Sequence, residues 1–330
     1  MQELAIQSRT RLPTTAFSAA SIDDLLNDVL REIEERGSVV TATRGTSREI
    51  VGVTLELSNP CARISRTEAR GKLFSGLGEL MWYLSGSNEV AFVAYYISKY
   101  RDDADGHIVL GGYGPRLFGQ EGSAQVDAVL RLLRKRPSSR QAVIQLFSGD
   151  DLVRDHKSIP CTCCLQFLIR DGALHLMAYL RSNDVVRGLP HDIFCFTMLQ
   201  EIMARTLGVQ LGYYKHFVGS LHRYVRDEAI VRVFLDEGYQ PTSQVMPPMP
   251  TGDPWRVIGE VLAVEQALRG GETVRGDITR LGDYWADIVR LLQIYRCRRD
   301  GDKSGIRDIA ARFSWKGYMP FAQQFLDEEV

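Results

Sequence analysis

The sequence predicts an α+β fold: a large mixed β-sheet flanked by helices, followed by a helical C-terminal segment. Three observations carry this. Runs of β-branched and aromatic residues bounded by turn residues recur from Val39 to Tyr224. They are joined both by a hairpin signal, Asp171-Gly172, and by amphipathic helical stretches, a mixture that a doubly wound parallel sheet does not give. Beyond a Pro-rich stretch the pattern turns helical. The expected organisation is one domain over residues 1–330, with an arm (1–18), a core (19–237), a Pro-rich loop (238–254) and a helical layer (255–330). The loop itself reads either as a divider between two domains or as a bridge to a layer packed on the first.

Taken in order, Ser21-Ile-Asp-Asp24 caps a helix through Leu25, Leu26, Val29, Leu30 and Ile33, stopped by Gly37. Two β-rich runs, Val39–Thr43 and Ile50–Leu57, flank the turn Arg44-Gly-Thr-Ser-Arg48, which is either plain surface or an anion clamp. Arg66 to Leu84 reads as a helix with a wide apolar stripe, in which Glu79 is either turned to solvent or part-buried and fit for proton transfer. A further helix runs from Glu89 to Tyr100. Asp102 to Gly106 is half a calcium loop without its downstream ligands, and is taken as solvated. Glycines surround Tyr113, which suits close approach of something planar or an ordinary turn. A helix from Ala124 to Arg136, a strand from Gln141 to Phe147, the hairpin Cys163–Arg170/Leu174–Arg181, a helix from Asp192 to Leu207 and a strand from Val209 to Tyr224 complete the core. Helices at 227–235, 255–268, 284–299 and roughly 305–313 follow.

Bulk properties exclude several classes. A formal net charge of -1 gives no electrostatic reason to expect nucleic acid or a membrane surface. The N-terminal residues lack a signal-like apolar core, and no apolar run approaches the ~20 residues of a membrane span, so a cytoplasmic protein is expected. Six cysteines in this length are not a disulfide framework. Cys161, Cys163 and Cys164 are poor zinc ligands, because strand neighbours face opposite ways and no second Cys/His pair follows; no metal is expected.

An unpaired cysteine is commonly a small buried hydrophobe, and the company of Cys161 is what sets it apart. Pro160-Cys161…Gln166-Phe167, Arg181-Ser182…Asp184…Gly188-Leu-Pro190…Asp192 and Gly219…His222…Tyr224, with Glu79-Leu…Trp82 and Tyr113-Gly114 upstream, resemble in order and spacing the active-site core of the thymidylate synthase family. The resemblance covers roughly residues 39 to 225 and implies a homodimer with back-to-back sheets. It also implies that a cysteine thiolate adds to C6 of a pyrimidine nucleotide, so that C5 captures the one-carbon unit of 5,10-methylenetetrahydrofolate.

On this resemblance Cys161 is the nucleophile, with Glu79, Asp192 and Tyr113 as further catalytic candidates. Arg44, Arg181 with Ser182, and Arg140 from the partner subunit form the phosphate clamp. Gln166, Asp184, Asp192, His222 and Tyr224 meet base and sugar, while Glu79, Trp82, Asp184 and Gly188 line the folate side. Gln141 stands where a second arginine is usual, with Arg48 or Lys135 as compensating candidates, and Thr162 stands where many members have histidine.

Two departures point to the substrate. Asp192 replaces the asparagine of thymidylate synthases. An acceptor-only carboxylate suits the N4 amino group and a protonated N3 of cytosine, and the family's cytidylate hydroxymethylases make this replacement. The segment Ser98–Asp102 also lacks the tryptophan that shields the methylene intermediate, which favours addition of water over hydride. The resemblance therefore implies 5-hydroxymethylation of CMP or dCMP, as in nucleoside-antibiotic pathways, with thymidylate synthase or deoxyuridylate hydroxymethylase as the rival and an inactive nucleotide- or RNA-binding homologue as the distant one. No residue marks a pocket for the 2′-hydroxyl.

Overall fold

The computed structural model describes residues 15–328 except 43, 66, 68–71, 120–123, 154, 242–244 and 273–276. Strand β1 (Ala16–Ala19) turns the end of the expected arm into sheet, pairing in parallel with β3 (Gly45–Leu57); the rest of that arm, 1–14, lies outside the described residues. Helix α1 (Ile22–Arg36) starts where Ser21 accepts a bond from the Asp24 backbone N–H, and buries Leu25, Leu26, Val29, Leu30 and Ile33. Strand β2 (Ser38–Ala42) hairpins onto β3.

Helix α2 (Leu73–Leu84) begins at the first residue of the predicted apolar stripe. Arg66 and 68–71, on which the earlier start falls, lie outside the described residues. Beside them the Ser65 and Thr67 hydroxyls lie 3.3 Å apart and Arg63 pairs with Glu201. Next come α3 (Val90–Tyr96), a 3₁₀ turn (Ser98–Arg101), α4 (Gly114–Phe118), α5 (Gln125–Lys135) and a short β4 (Val143–Gln145). The hairpin of β5 (Thr162–Arg170) and β6 (Ala173–Asp184) turns on Asp171 and Gly172, both at positive φ, as a tight two-residue turn demands. Helix α6 (Leu189–Leu207) crosses over to β7 (Gln210–Tyr224), and α7 (Glu228–Glu237), α8 (Trp255–Arg269), α9 (Asp283–Asp300), α10 (Lys303–Ala310) and α11 (Met319–Asp327) follow.

The sheet order is β1-β3-β7-β6-β5-β4, with β2 beside β3. Parallel pairs β6–β7 and β1–β3 are set among antiparallel ones, the mixed sheet that the sequence predicts. Because β6 and β7 are parallel and in register at Asp184 and His222, both carry their last residues to the edge where α6 begins. Ligand sites favour the carboxyl ends of parallel strands for this reason.

The Pro-rich run is strapped onto the core. Arg63 and Glu201 form a fully buried ion pair at 2.5 Å, and Glu201 Oε1 also accepts the Met249 N–H at 2.7 Å. The C-terminal helices reach α2 and α3: Tyr96 donates to Glu265, Tyr295 to the Tyr95 carbonyl, and Phe74 stacks on Phe325 at 4.4 Å. Among the described residues no helix is long and apolar enough to cross a membrane. Arg63→Met strands the Glu201 carboxylate in the interior, and urea unfolding should show a loss of about 3–5 kcal/mol; a loss below about 1 kcal/mol would mean that the strap does not depend on this pair.

Candidate active site

Cys161 sits at the mouth of β5, fixed by its neighbours on β6. The Arg181 N–H donates to the Cys161 carbonyl at 2.9 Å, and its guanidinium donates to the Pro160 carbonyl at 3.0 Å with Nη2 3.7 Å from Cys161 Sγ. Much of the residue faces solvent. The sulfur itself is crowded by protein, and its surroundings govern the thiol: burial pushes the pKa up, Arg181 pulls it down, Asp192 raises it and Arg44 lowers it. Tyr113 locks the next residue, donating to Thr162 Oγ1 at 2.9 Å and accepting the Thr162 N–H at 3.1 Å. The glycines around it admit protein. A Cβ on Gly112 would lie 2.8 Å from the Trp82 ring, and one on Gly111 2.8 Å from Ser158 Oγ.

Two carboxylates converge behind the sulfur. Glu79, 4% exposed, accepts from Tyr83 at 2.7 Å and Tyr100 at 2.5 Å, both on Oε1. Burial, then the Glu79 charge, holds both phenols well above their usual range, so they stay donors. Asp192 accepts from Asn183 Nδ2 at 2.6 Å. Burial first, then Glu79, pushes Asp192 up to about 8, with the Asn183 bond opposing. The sequence leads to an acceptor-only carboxylate here; the structure makes it a mostly neutral acid at pH 7, carrying both a donor and an acceptor. Asn183 is itself backed by His216, Nε2 at 3.4 Å, whose Nδ1 lies 2.6 Å from Tyr214 OH and whose burial depresses it to about 3.

At the sugar and phosphate end, Asp184 uses Oδ1 to accept the Val186 and Arg187 N–H groups at 2.8 and 3.2 Å, forming the turn into α6 at Gly188. Its pKa is raised, burial first, against those two bonds. His222 lies level with Asp184 and edge-on to Tyr224 at 5.2 Å. Ser182 is level with Ser220, one strand over. Arg44 crosses the mouth to Asp103 at 2.8 Å and the Lys157 carbonyl at 3.4 Å. The loop read as merely solvated therefore supplies a partner to the clamp arginine.

Four candidates do not converge. Gln166 stands five residues along β5 from Cys161, roughly 16 Å at about 3.3 Å per residue, and donates there to the carbonyl of Arg140, ahead of β4, at 3.0 Å. The alternation of a strand turns Gln166 away from the core that Leu165 and Phe167 fill. Trp82 is 1% exposed, packed on Tyr100 at 5.4 Å, and forms an inner wall of the protein, so it offers no surface to folate. Arg48 donates to the Glu34 and Gly37 carbonyls at the end of α1 and is committed there. A recess of about 500 Å³ between α1 and α7, lined by Arg31, Glu34 and Arg232, lies apart from this chemistry.

Sequence reasoning missed Tyr100, Asn183, Arg226 and the role of Asp103. Arg226 stacks on the Tyr224 ring at 4.1 Å and donates to the Arg44 carbonyl at 3.0 Å. Its signal was its place two residues beyond Tyr224, whereas Asp103 and Tyr100 gave none, since their partners are distant in sequence. The ordering of charges around the thiol has a direct readout. With iodoacetamide and peptide mass spectrometry, Arg181→Met should slow Cys161 alkylation at pH 8 by about three- to tenfold, the effect of half to one pKa unit; an unchanged rate would remove Arg181 as the group that tunes it.

This geometry agrees with what the chain is similar to. The family model described as thymidylate synthase matches residues 23–247. A deoxyuridylate hydroxymethyltransferase of Bacillus phage SP01 is 31% identical over 228 residues, 64% of this chain and 59% of that protein. The chain thus spans about 59% of the length of that curated relative. With a cysteine, two arginines and two buried carboxylates gathered at the carboxyl ends of β6 and β7, and a family match over most of its length, the chain belongs to the thymidylate synthase family.

Proposed function

We propose that the protein is a one-carbon transferase that hydroxymethylates C5 of a cytidylate, CMP or dCMP, taking the carbon from 5,10-methylenetetrahydrofolate and the oxygen from water. In net terms nucleotide, methylenetetrahydrofolate and water give the 5-hydroxymethyl nucleotide and tetrahydrofolate. Cys161 forms and later releases the bond to C6, Arg44 and Arg181 with Ser182 hold the phosphate, and His222 and Tyr224 hold the sugar. Glu79 takes protons where C5 and water react.

The single observation that carries the choice of base is Asp192. Attack at C6 of cytosine is helped by a proton on N3, and a buried acid pushed up to about 8 has that proton to give. Once transferred, it leaves a carboxylate facing N3–H and the N4 amino group, which is the pairing expected from the sequence. Tyr100 adds to the hydration half of the reading: the segment lacking tryptophan places a phenol on Glu79, 2.5 Å from Oε1, and so adds a polar group where synthases have an apolar wall.

Uracil is the second reading, favoured by the name of the phage relative and by the same neutral form of Asp192, whose donor and acceptor also complement O4 and N3–H. We further propose a homodimer. Arg140 lies beside Gln166, too far from its own Cys161 to serve it, and the sheet face carrying stacked Tyr179 and Phe217, 4.8 Å apart, is where a second copy would bring it near.

Incubation with [5-³H]-CMP, -dCMP and -dUMP separately, with methylenetetrahydrofolate, should release tritium from a cytosine nucleotide and give a hydroxymethyl product by mass spectrometry. Release from dUMP alone would overturn the cytosine reading. For the cytosine substrate the rise of kcat/KM with pH that thiolate formation at Cys161 brings should level off above about 8, because the reacting form of Asp192 is the protonated one below that value. Asp192→Asn should abolish that levelling and shift preference toward uracil by about tenfold or more, the worth of the charge-assisted pair that only protonated cytosine makes with the carboxylate.

A further inference from the structure

Glu79 has a second partner that the reaction above does not use. His191 stands one residue before Asp192 in the first turn of α6, and its ring lies between two residues one turn apart on α2. Its Nε2 is 2.8 Å from Ser75 Oγ and its Nδ1 is 3.3 Å from Glu79 Oε2. Gly76 leaves the space: a Cβ there would come 3.6 Å from His191 Cδ2 and 3.3 Å from Phe194. Resting on the hydroxymethyl-transfer reading, we propose that His191 is a positioning residue that shares one proton with Glu79 and passes it through Ser75 toward solvent.

The hydrogen-bond inventory supports a shared proton. Glu79 Oε1 is filled by two phenol donors, so any proton Glu79 gains goes on Oε2, which makes no hydrogen bond and has the His191 nitrogen as neighbour. Ser75 Oγ donates to the Lys72 carbonyl at 3.1 Å. Its hydroxyl hydrogen thus committed, it accepts from His191, which makes Nε2 the protonated nitrogen. The remaining contact then holds a single proton, either Glu79 Oε2–H to neutral Nδ1 or imidazolium to carboxylate. Among the described residues the other ionisable groups facing this pair are Tyr83 on α2, Tyr100 on the 3₁₀ turn, and Asp192 and Cys195 on α6.

In the proposed reaction two protons must leave, one from C5 as the exocyclic methylene forms and one from water as its oxygen bonds to that methylene, while the two folate nitrogens that release the one-carbon unit take up two, so that none is gained or lost overall. A carboxylate that cannot discharge the first is unable to take the second. His191 returns Glu79 to its accepting form by moving the proton from Oε2 to Nδ1 and releasing another from Nε2 to Ser75, whose own hydroxyl hydrogen turns from the Lys72 carbonyl to water and leaves with it. Ser75 is part-buried near the exposed Lys72, on the solvent side of the pair.

Two measurements test this. In ¹⁵N-histidine NMR of the full-length protein without substrates, the ring lost in His191→Phe identifies His191, and Glu79→Gln should lower its titration midpoint by about one pH unit, since a neighbouring carboxylate favours imidazolium; equal midpoints would overturn the shared proton. In the second, [5-³H]-CMP is turned over with 2-mercaptoethanol present to trap the exocyclic methylene as a thioether. His191→Asn, which keeps a donor toward Glu79 but carries no titrating proton, should lose hydroxymethyl product at least tenfold while tritium release falls less and the thioether accumulates. Wild-type product formation by His191→Asn would reduce His191 to a hydrogen-bonding prop and overturn the relay. If the wild-type protein releases no tritium from either [5-³H]-CMP or [5-³H]-dCMP, the reaction assigned above fails, while the NMR comparison still decides the proton sharing.

Discussion

The site depends on one constraint: two carboxylic acids share a volume from which water is largely excluded. Burial penalises the charged form of each, and charging both adds their mutual repulsion. The donors around them are unequal. Glu79 has two phenols donating to it, whereas Asp192 has one amide, and burial together with the Glu79 charge pushes Asp192 up to about 8. The acid follows from placement alone, without any unusual residue type.

Much of the scaffold serves that placement. Ser75, Glu79 and Tyr83 repeat every four residues along α2, one face of a single helix. Asp192 and His191 come from the first turn of α6, and Asn183 from the end of β6. The relation between α2 and α6 therefore fixes the carboxylates. On one side it is clamped by the buried Arg63–Glu201 pair, which also ties down Met249. On the other, α2 is backed by the C-terminal helices through Phe74 and Phe325. Those helices hold the frame to which Glu79 belongs.

The sheet, its hairpin and the helices with clear periodicity were legible in the sequence, because burial alternates with the period of each element: Ile193, Phe196, Leu199, Ile202 and Met203 are the stripe that α6 buries. At the site, the grouping of Cys161, Arg181, Asp192, His222 and Tyr224 was readable as motif, and the chain brings them together. Gln166 and Trp82 belong to the same motifs but face elsewhere, a matter of strand parity and depth that spacing does not encode. Tyr100, Asp103 and Asn183 matter through partners far away in sequence, and the protonation of Asp192 depends on Glu79, 113 positions earlier.

That last dependence changes what the aspartate means. Read as a fixed carboxylate, Asp192 excludes uracil, because its two acceptors would face O4. Read as a neutral acid, it presents the same donor and acceptor as the asparagine it replaces, and either base finds partners. Discrimination then lies in the next step. Cytosine N3 has a lone pair that can take the proton, leaving a charge-assisted pair that is stronger than the neutral one. Uracil N3 already carries hydrogen and cannot. On the proposed cytosine reading the acid is matched to the base at the point where Cys161 attacks, when N3 gains basicity, and selection would belong to the transition state more than to binding. A site of this kind would bind uracil nucleotides and still convert cytosine faster, so the proposed base preference is one to be sought in kcat as much as in KM.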